Sequence, residues 1–286
     1  SPLTRKITTN DLRIIRVLGN GGQGFVMLVQ DRATENLLAL KSVAKHSVPL
    51  EDDARIFEEQ DVLRRLAGNS RFLDLQASFE NSDYFCFLTD YYPGGDMKDF
   101  LALRGKLPEH EARDYYAQLL LALQELHSRR IIHRDIKPEN VLIAADGRLV
   151  LADFGMARAF GRTADQQPTM FANGAPAAEI DKTESGCGTA RYMAPEQFDP
   201  GCYSYGVDTW ALGVMLYEML HGELPFKMTA CSEAWKIVDY VLDGKLEVDD
   251  SLSDEAYDLV CTVLAKDPLK RPTCDEIIAH AWFDGQ

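Results

Sequence analysis

The stretch Ile131-Ile132-His133-Arg134-Asp135-Ile136-Lys137-Pro138-Glu139-Asn140, with Asp153-Phe154-Gly155 beginning thirteen residues after Asn140, decides how this chain is read. Short apolar runs anchor two loops. The loops carry Asp135, Lys137, Asn140 and Asp153 at set offsets. Carboxylate and amide oxygens are hard ligands of the kind magnesium takes, a cation that keeps water and phosphate oxygens in the rest of its shell. A lone Asp-Phe-Gly would be an acidic turn in any globular domain. The two stretches together, at this spacing, argue against two unrelated acidic turns.

The rest of the chain fits around that stretch. Leu12 to Asp31 is rich in β-formers, with Ile14, Ile15, Val17 and Leu18 leading into Gly19-Asn20-Gly21-Gly22-Gln23-Gly24-Phe25-Val26. Phe25 to Val29 leads out, so the pattern is two strands joined by a glycine turn. A dinucleotide-binding fold uses the same glycine spacing, but there the glycines open a helix, and here a second strand follows. Glycines in such a turn let backbone amides approach phosphates with no Cβ in the way. Leu38-Ala39-Leu40-Lys41 continues the sheet, and Glu51 to Leu66 reads as a helix. Phe72 to Asp90 holds two more strands around Glu80-Asn81-Ser82-Asp83. From Pro108-Glu109 the pattern is helical, with Ala112, Tyr116, Leu119, Leu120, Leu123 and Leu126 at helical spacing. Val141-Leu142-Ile143 and Leu149-Val150-Leu151 read as a hairpin around Asp146-Gly147. Residues 159–184 have little periodicity and read as a mobile insertion. Gly206 to Leu220 is a strongly apolar helix.

These motifs resemble the catalytic domain of eukaryotic-type protein kinases, from about Leu12 to Phe283. The resemblance implies a two-lobed α+β fold. A small antiparallel sheet with one helix would occupy residues 1–90, and a mostly helical lobe 91–286. The activation segment would run over 153–196 and carry the insertion at about 159–184. Thr189 in Cys187-Gly188-Thr189 and the Asp135-to-Asn140 loop resemble serine/threonine kinases. Tyr92-Pro93-Gly94-Gly95-Asp96 is similar to the AGC group, of which the cyclic-AMP-dependent kinase is the best-known member. His133 departs from that group, where most members have tyrosine, and leaves calcium/calmodulin-type and Aurora-like kinases open.

The resemblance also implies roles. Asp135 would accept the proton of a substrate hydroxyl, Lys137 would steady the moving phosphoryl group, and Thr189 would bond both. Asn140 and Asp153 would hold Mg2+. Lys41 would hold the ATP phosphates, fixed by Glu59, with Glu58 its solvated neighbour. Leu18, Gly19, Asn20, Gly21, Gly22, Gln23 and Gly24 would cover ATP. Val26, Ala39 and Leu142 would enclose adenine, Thr89 would be the gatekeeper of a back pocket, and the backbone of Asp90 and Tyr92 would bond the base. Asp96, Glu139 and Glu218 match acids that bind upstream arginines of a basic substrate, and Asp96 and Glu139 also lie near ATP. Met156 suggests serine over threonine as acceptor. Ser185, or alternatively Thr183, would be phosphorylated by an upstream kinase and gathered by Arg55, Arg134 and Arg158. Asp208 would brace the catalytic loop, and Glu196 would pair with Arg271 inside the protein. A pseudokinase scaffold with the same fold is the alternative reading.

Composition sets outer bounds. At 286 residues the chain is long enough for a large core split in two. The formal charge of −15 argues against nucleic acid as a partner and suits basic peptides. No apolar run reaches the length of a membrane span. The six cysteines show no paired spacing and read as reduced thiols of an intracellular protein, cytoplasmic or nuclear, without zinc.

Overall fold

Alternating β-branched and apolar residues build β1 (Leu12–Gly21), β2 (Gly24–Asp31), β3 (Leu37–Ala44), β4 (Leu75–Glu80) and β5 (Tyr84–Asp90). They form one antiparallel sheet in the order β1-β2-β3-β5-β4. The structure is a computed structural model that describes residues 6–21, 24–47, 53–160, 190–198, 204–226 and 241–284. Gly22, Gln23, Thr183, Ser185, Thr189, the side chain of Arg55 and residues 161–184 of the expected insertion lie outside the described residues.

The chain divides into two compact units, one of residues 1–95 with 142–157, the other of 96–141 with 158–286. In the first unit, one face of the sheet packs Ile7, Leu12, Val29, Leu38, Leu40, Cys86 and Leu88 into a core. Strand residues alternate between faces. The pairings Val26 with Lys41, Lys41 with Phe87 and Ala39 with Thr89 therefore put Val26, Ala39, Lys41 and Thr89 on the other face. A register shift between Val17 and Gly19 leaves Leu18 in a β-bulge, a device that re-aims a side chain. The helix α1 (Asp53–Leu66) buries Ile56, Glu59, Val62, Leu63 and Leu66, a stripe at helical spacing into which one carboxylate is built. Glu58 lies off that stripe and is half-buried.

In the second unit, α2 (Met97–Arg104) and α3 (Glu109–Ser128) are followed by β6 (Ile131–Ile132). The hairpin of β7 (Val141–Ile143) and β8 (Leu149–Leu151) follows in the chain and belongs, from Leu142 on, to the first unit, turning at Gly147 with φ 82°. Then come β9 (Arg158–Ala159), α4 (Gly206–His221), α5 (Asp254–Val263) and α6 (Cys274–Ile278). The first residue of the expected insertion, Ala159, is thus a strand residue and not part of a structureless loop. It pairs with Ile131, and Phe160 N–H donates to the Arg130 carbonyl at 3.0 Å. These two residues are held because Phe160 is buried. Helix α4 is buried over most of its length, as a central helix must be. A Cβ at Gly213 would meet Val263 at 2.8 Å, so glycine there lets α4 and α5 approach closely. Glu109, at the start of α3, accepts from Ser253 N and Oγ, Trp282 Nε1 at 2.8 Å and Arg113. One carboxylate thereby ties three segments, which the sequence reading saw only as a helix start. Among the described residues no helix is long and apolar enough to cross a membrane.

The glycines of the β1–β2 turn separate into two kinds. A Cβ at Gly24 would lie 1.9 Å from the Ser42 carbonyl oxygen, so strand packing alone demands glycine there, whereas a Cβ at Gly19 meets nothing within 4 Å. At Gly24 the close backbone of β3 is a packing reason for glycine beside the expected approach of phosphate. Gly24→Ala is expected to destabilise the protein by about 1–3 kcal/mol, as overpacking does. Gly19→Ala is expected to change stability by no more than about 0.5 kcal/mol. Thermal melts of the two variants check this pair.

Candidate active site

Each unit carries a cluster of charged groups at the positions picked out from the sequence. In the first, Lys41 Nζ donates to Glu59 Oε1 at 2.7 Å and to Asp153 Oδ1 at 2.8 Å. Glu59 is buried on α1, and Asp153 keeps a half-exposed carboxylate. Burial works against the lysine's charge, but the two carboxylates outweigh it and hold its pKa above the ordinary value. Burial, and to a lesser degree Asp153, push the Glu59 carboxyl up against the pull of Lys41. Asp153 sits in the left-handed region at φ 57°, which a non-glycine residue adopts only under constraint. The constraint is the following Phe154, buried edge-on against Phe72 with ring centroids 6.2 Å apart. Gly155 lies beside the cluster. A Cβ there would come within 3.4 Å of Glu59 Oε2, 3.5 Å of Asp153 Oδ1 and 3.7 Å of Lys41 Nζ. The missing side chain leaves space lined by charged oxygens and an ammonium.

The segment after β5 is also fixed within this unit. Thr89 is buried, and its hydroxyl lies 3.4 Å from the Ala39 carbonyl and 3.3 Å from that of Asp90. Gly94 N–H donates to the Ile143 carbonyl, and Ile143 N–H to that of Gly95. A Cβ at Gly94 would strike the same Ile143 oxygen at 2.5 Å, so the Pro93-Gly94-Gly95 sequence has a packing cause. Leu142 lies on the strand so tied.

In the second unit, Asp135 Oδ2 accepts from Lys137 Nζ at 2.7 Å and from Asn140 Nδ2 at 2.9 Å. Asn140 Nδ2 also donates to the Asp135 carbonyl. These bonds fall on Oδ2, which leaves Asp135 Oδ1 for a hydroxyl proton. They also use the amide nitrogen of Asn140, which leaves its carbonyl oxygen as the ligand atom for a hard cation. A carbonyl oxygen on Asn140 and, in the first unit, a carboxylate on Asp153 are each of the hard-oxygen type that magnesium takes.

The brace of this loop is Asp208, whose side chain is 1% exposed. Its Oδ2 accepts His133 N–H at 2.9 Å and its Oδ1 accepts Arg134 N–H at 2.8 Å. Arg134 holds φ 67°, a second left-handed non-glycine residue. His127 Nε2 lies 3.0 Å from Asp208 Oδ2, and Cys274 Sγ lies 3.7 Å from His127 Nδ1. An ionised carboxylate only accepts, so His127 carries its hydrogen on Nε2. Burial, then Asp208 and Asp275, push the Cys274 thiol up to about 12, so the thiol remains a weak donor toward Nδ1. Burial by itself would raise Asp208, but the hydrogen bonds from His127 and from the His133 amide work against it, and the carboxyl is held below its ordinary range. The sequence reading missed His127 and Cys274. Their only signal was a histidine and a cysteine in otherwise apolar helical stripes.

The remaining predicted residues fall as follows. Arg271, its guanidinium fully buried, pairs with Glu196 through both nitrogens, with Nη2 to Oε2 at 2.7 Å, and lies over the Trp210 ring. The β6–β9 ladder sets Arg158 opposite Ile132, two residues before Arg134. Asp96 caps α2 by accepting from Asp99 N–H at 2.9 Å. Glu139 Oε1 pairs with Lys98 at 3.1 Å, and Glu218 Oε2 accepts from the Tyr192 hydroxyl at 2.6 Å.

A half-buried lysine between two carboxylates in one unit, and an aspartate, lysine and asparagine locked on a braced loop in the other, are groups of the kind that phosphoryl transfer uses. A protein kinase domain model matches residues 12–283, and the chain belongs to that family. It is 34% identical to a RAC serine/threonine-protein kinase of Drosophila melanogaster, over 98% of this chain and 43% of the relative. It is also 34% identical to the serine/threonine-protein kinase akt-1 of Caenorhabditis elegans, over 93% of this chain and 46% of the relative. With the atypical protein kinase C of Drosophila melanogaster the identity is 32%, over 98% of this chain and 46% of the relative. These relatives accord with the AGC-like resemblance, and the chain spans a little under half their length.

Asp208 gives a test of the brace. A carboxyl held below its unfolded value of 3.8 adds stability that is present above that pH and lost as pH falls through the folded value. Asp208→Asn is expected to lower unfolding free energy by about 3 kcal/mol at neutral pH, since it leaves buried donors without their charge partner. The variant is also expected to lose less stability than wild type on acidification below pH 4. Urea unfolding measured across pH reads both effects.

Proposed function

We propose that the chain transfers the γ-phosphate of ATP to serine or threonine hydroxyls of protein substrates with basic residues upstream. The observation that carries this reading is Lys41 fixed between Glu59 and Asp153. A scaffold that had lost catalysis would not need a lysine so held. Lys41 orients the α- and β-phosphates, and Asp153 with the Asn140 carbonyl oxygen would hold magnesium. A bound divalent cation supplies neutralising charge for the phosphate oxygens. Asp135 Oδ1 orients the acceptor hydroxyl and takes its proton as the new oxygen–phosphorus bond forms and the bond to ADP breaks. Lys137 balances the charge that collects on the transferring group. The sheet face bearing Val26, Ala39 and Thr89, with Leu142, supplies the apolar bed for adenine.

Substrate choice rests on Asp96, Glu139 and Glu218. Burial raises Asp96 and Glu218, and the charge of Glu139 adds to both shifts. Two acids that feel the charge of Glu139 share one negative field with it, which favours an arginine-bearing peptide.

A phosphate-transfer assay with ATP, magnesium and a basic serine peptide tests the activity. Wild type is expected to incorporate phosphate and to lose that activity on metal chelation. Asp135→Asn is expected to lower turnover by about 10²–10⁴-fold with little change in ATP affinity. Asp153→Asn is expected to abolish transfer while leaving the melting profile folded. Near-native turnover of Asp135→Asn would remove the role assigned to it.

Regulation follows the same reading. A phosphate on Ser185, gathered by Arg134, Arg158 and Arg55, would tie the loops together. Intact mass and activity are measured before and after phosphatase treatment. Activity is expected to fall with the lost phosphate, and Ser185→Ala to stay at the low level. Full activity in a completely dephosphorylated sample would exclude the switch.

A further inference from the structure

The three acids of the substrate field are not equally open to a cation from outside. Lys98, on the first turn of α2, places its ammonium 3.1 Å from Glu139 Oε1. Its charge is felt at Asp96 as well, where it opposes the upward shift that burial and the neighbouring acids impose. Bonding to Glu139 and the charge of that residue hold the Lys98 pKa above its ordinary value, so the ammonium persists throughout the working range. The other oxygen, Glu139 Oε2, is buried and has no hydrogen-bond partner among the described residues. Among the described residues Glu218 has no ion pair. It accepts a neutral hydroxyl from Tyr192 and stays shifted upward by burial and then by Glu139.

We propose that Lys98 is a resident counter-ion that competes with the substrate's arginine for Glu139, and so sets how strongly this domain selects basic peptides. The inference rests on the substrate reading above. Three features support it. Glu139 is neutralised at one oxygen by a lysine alone and has no partner at the buried other oxygen among the described residues, so its charge stays available to an arginine that takes the lysine's place on Oε1. A lysine is a flexible point charge on a long stem, and its side chain is 60% exposed, so it can swing into water when an arginine arrives. An exposed pair of this kind is weak and screened by salt, so displacement is cheap enough to occur and large enough to measure. Lys98 is therefore a specificity residue that acts through Glu139 and has no contact with the reacting atoms.

The test uses a fluorescein-labelled serine peptide with arginines upstream, and the same peptide with alanines in their place. Binding is followed by fluorescence anisotropy in wild type, Lys98→Arg, Lys98→Gln and Lys98→Glu, at low and high salt. Both peptides are also assayed as phosphate acceptors. Removing the charge in Lys98→Gln is expected to tighten the arginine peptide about two- to fivefold, and Lys98→Glu to tighten it further. Lys98→Arg is expected to keep the wild-type affinity, and the alanine peptide to show no such order. The differences are expected to shrink at high salt. Equal affinities for the arginine peptide across the series at low salt would overturn the proposal, as would an order that ignores charge. Binding in the expected order with no phosphate incorporated by any form would sink the kinase reading and leave the counter-ion role standing.

Discussion

A single buried carboxylate, that of Asp208, organises the catalytic half of this molecule. It stands in the first turn of α4, a helix buried over most of its length. An uncompensated charge there would cost several kcal/mol, and the protein compensates it with two backbone amides and a histidine. Those amides belong to His133 and Arg134, so the same bonds that stabilise the charge force the loop into place. Arg134 accepts a left-handed backbone as part of that arrangement. The effect continues outward. The His133 ring accepts Asp135 N–H, and Asp135 in turn gathers Lys137 and Asn140. Behind Asp208 the order runs through His127 to Cys274 on α6, a helix closed by the capping box of Thr273 and Glu276.

The first unit solves the converse problem. There a cation, Lys41, rises from a strand and is fixed by a carboxylate that α1 places on its apolar stripe. Glu59 is affordable at that position only because Lys41 reaches it. Asp153 closes the cluster from a left-handed residue whose neighbour Phe154 is locked in the core. Arg134 and Asp153 thus share a feature: each is a non-glycine residue in the left-handed region next to a functional side chain. Backbone of that kind persists only where its surroundings over-determine it.

Much of this was legible from residue order because the chemistry needs fixed offsets. Asp135, Lys137 and Asn140 lie within six positions, so their mutual bonds follow from one tight loop. Glu59 was separable from Glu58 because it continues the spacing of Ile56, Val62, Leu63 and Leu66. The less legible features depend on contacts between residues distant in sequence. Gly24 looked like a phosphate glycine, and the carbonyl of Ser42 on the next strand adds a packing constraint beside that expectation. Glu109 looked like a helix-start acid, yet it bonds Trp282, 173 positions away. His127 and Cys274 are 147 positions apart, and nothing local marks either. Ala159 began a stretch whose composition suggested no structure, but a two-residue ladder with Ile131 and Ile132 needs no periodic signal.

The acid field around Glu139 shows a tension that a net charge of −15 does not reveal. Asp96, Glu139 and Glu218 are useful to a cationic peptide in proportion to how poorly they are neutralised beforehand. The same lack of neutralisation works against the free protein, because the charge of Glu139 raises the carboxyls of Asp96 and Glu218. The structure meets the two demands with different partners. Asp96 is tied to an amide at a helix start, Glu218 to a tyrosine hydroxyl and Glu139 to an exposed lysine. An amide or a hydroxyl leaves the negative charge in place, whereas a lysine cancels it. The oxygen that the lysine does not reach stays buried and unpaired, so the cancellation is incomplete by construction. On the proposed reading, selectivity for basic substrates would be a matter of exchange between an internal and an external cation, and a weak, exposed internal pair would keep that exchange reversible.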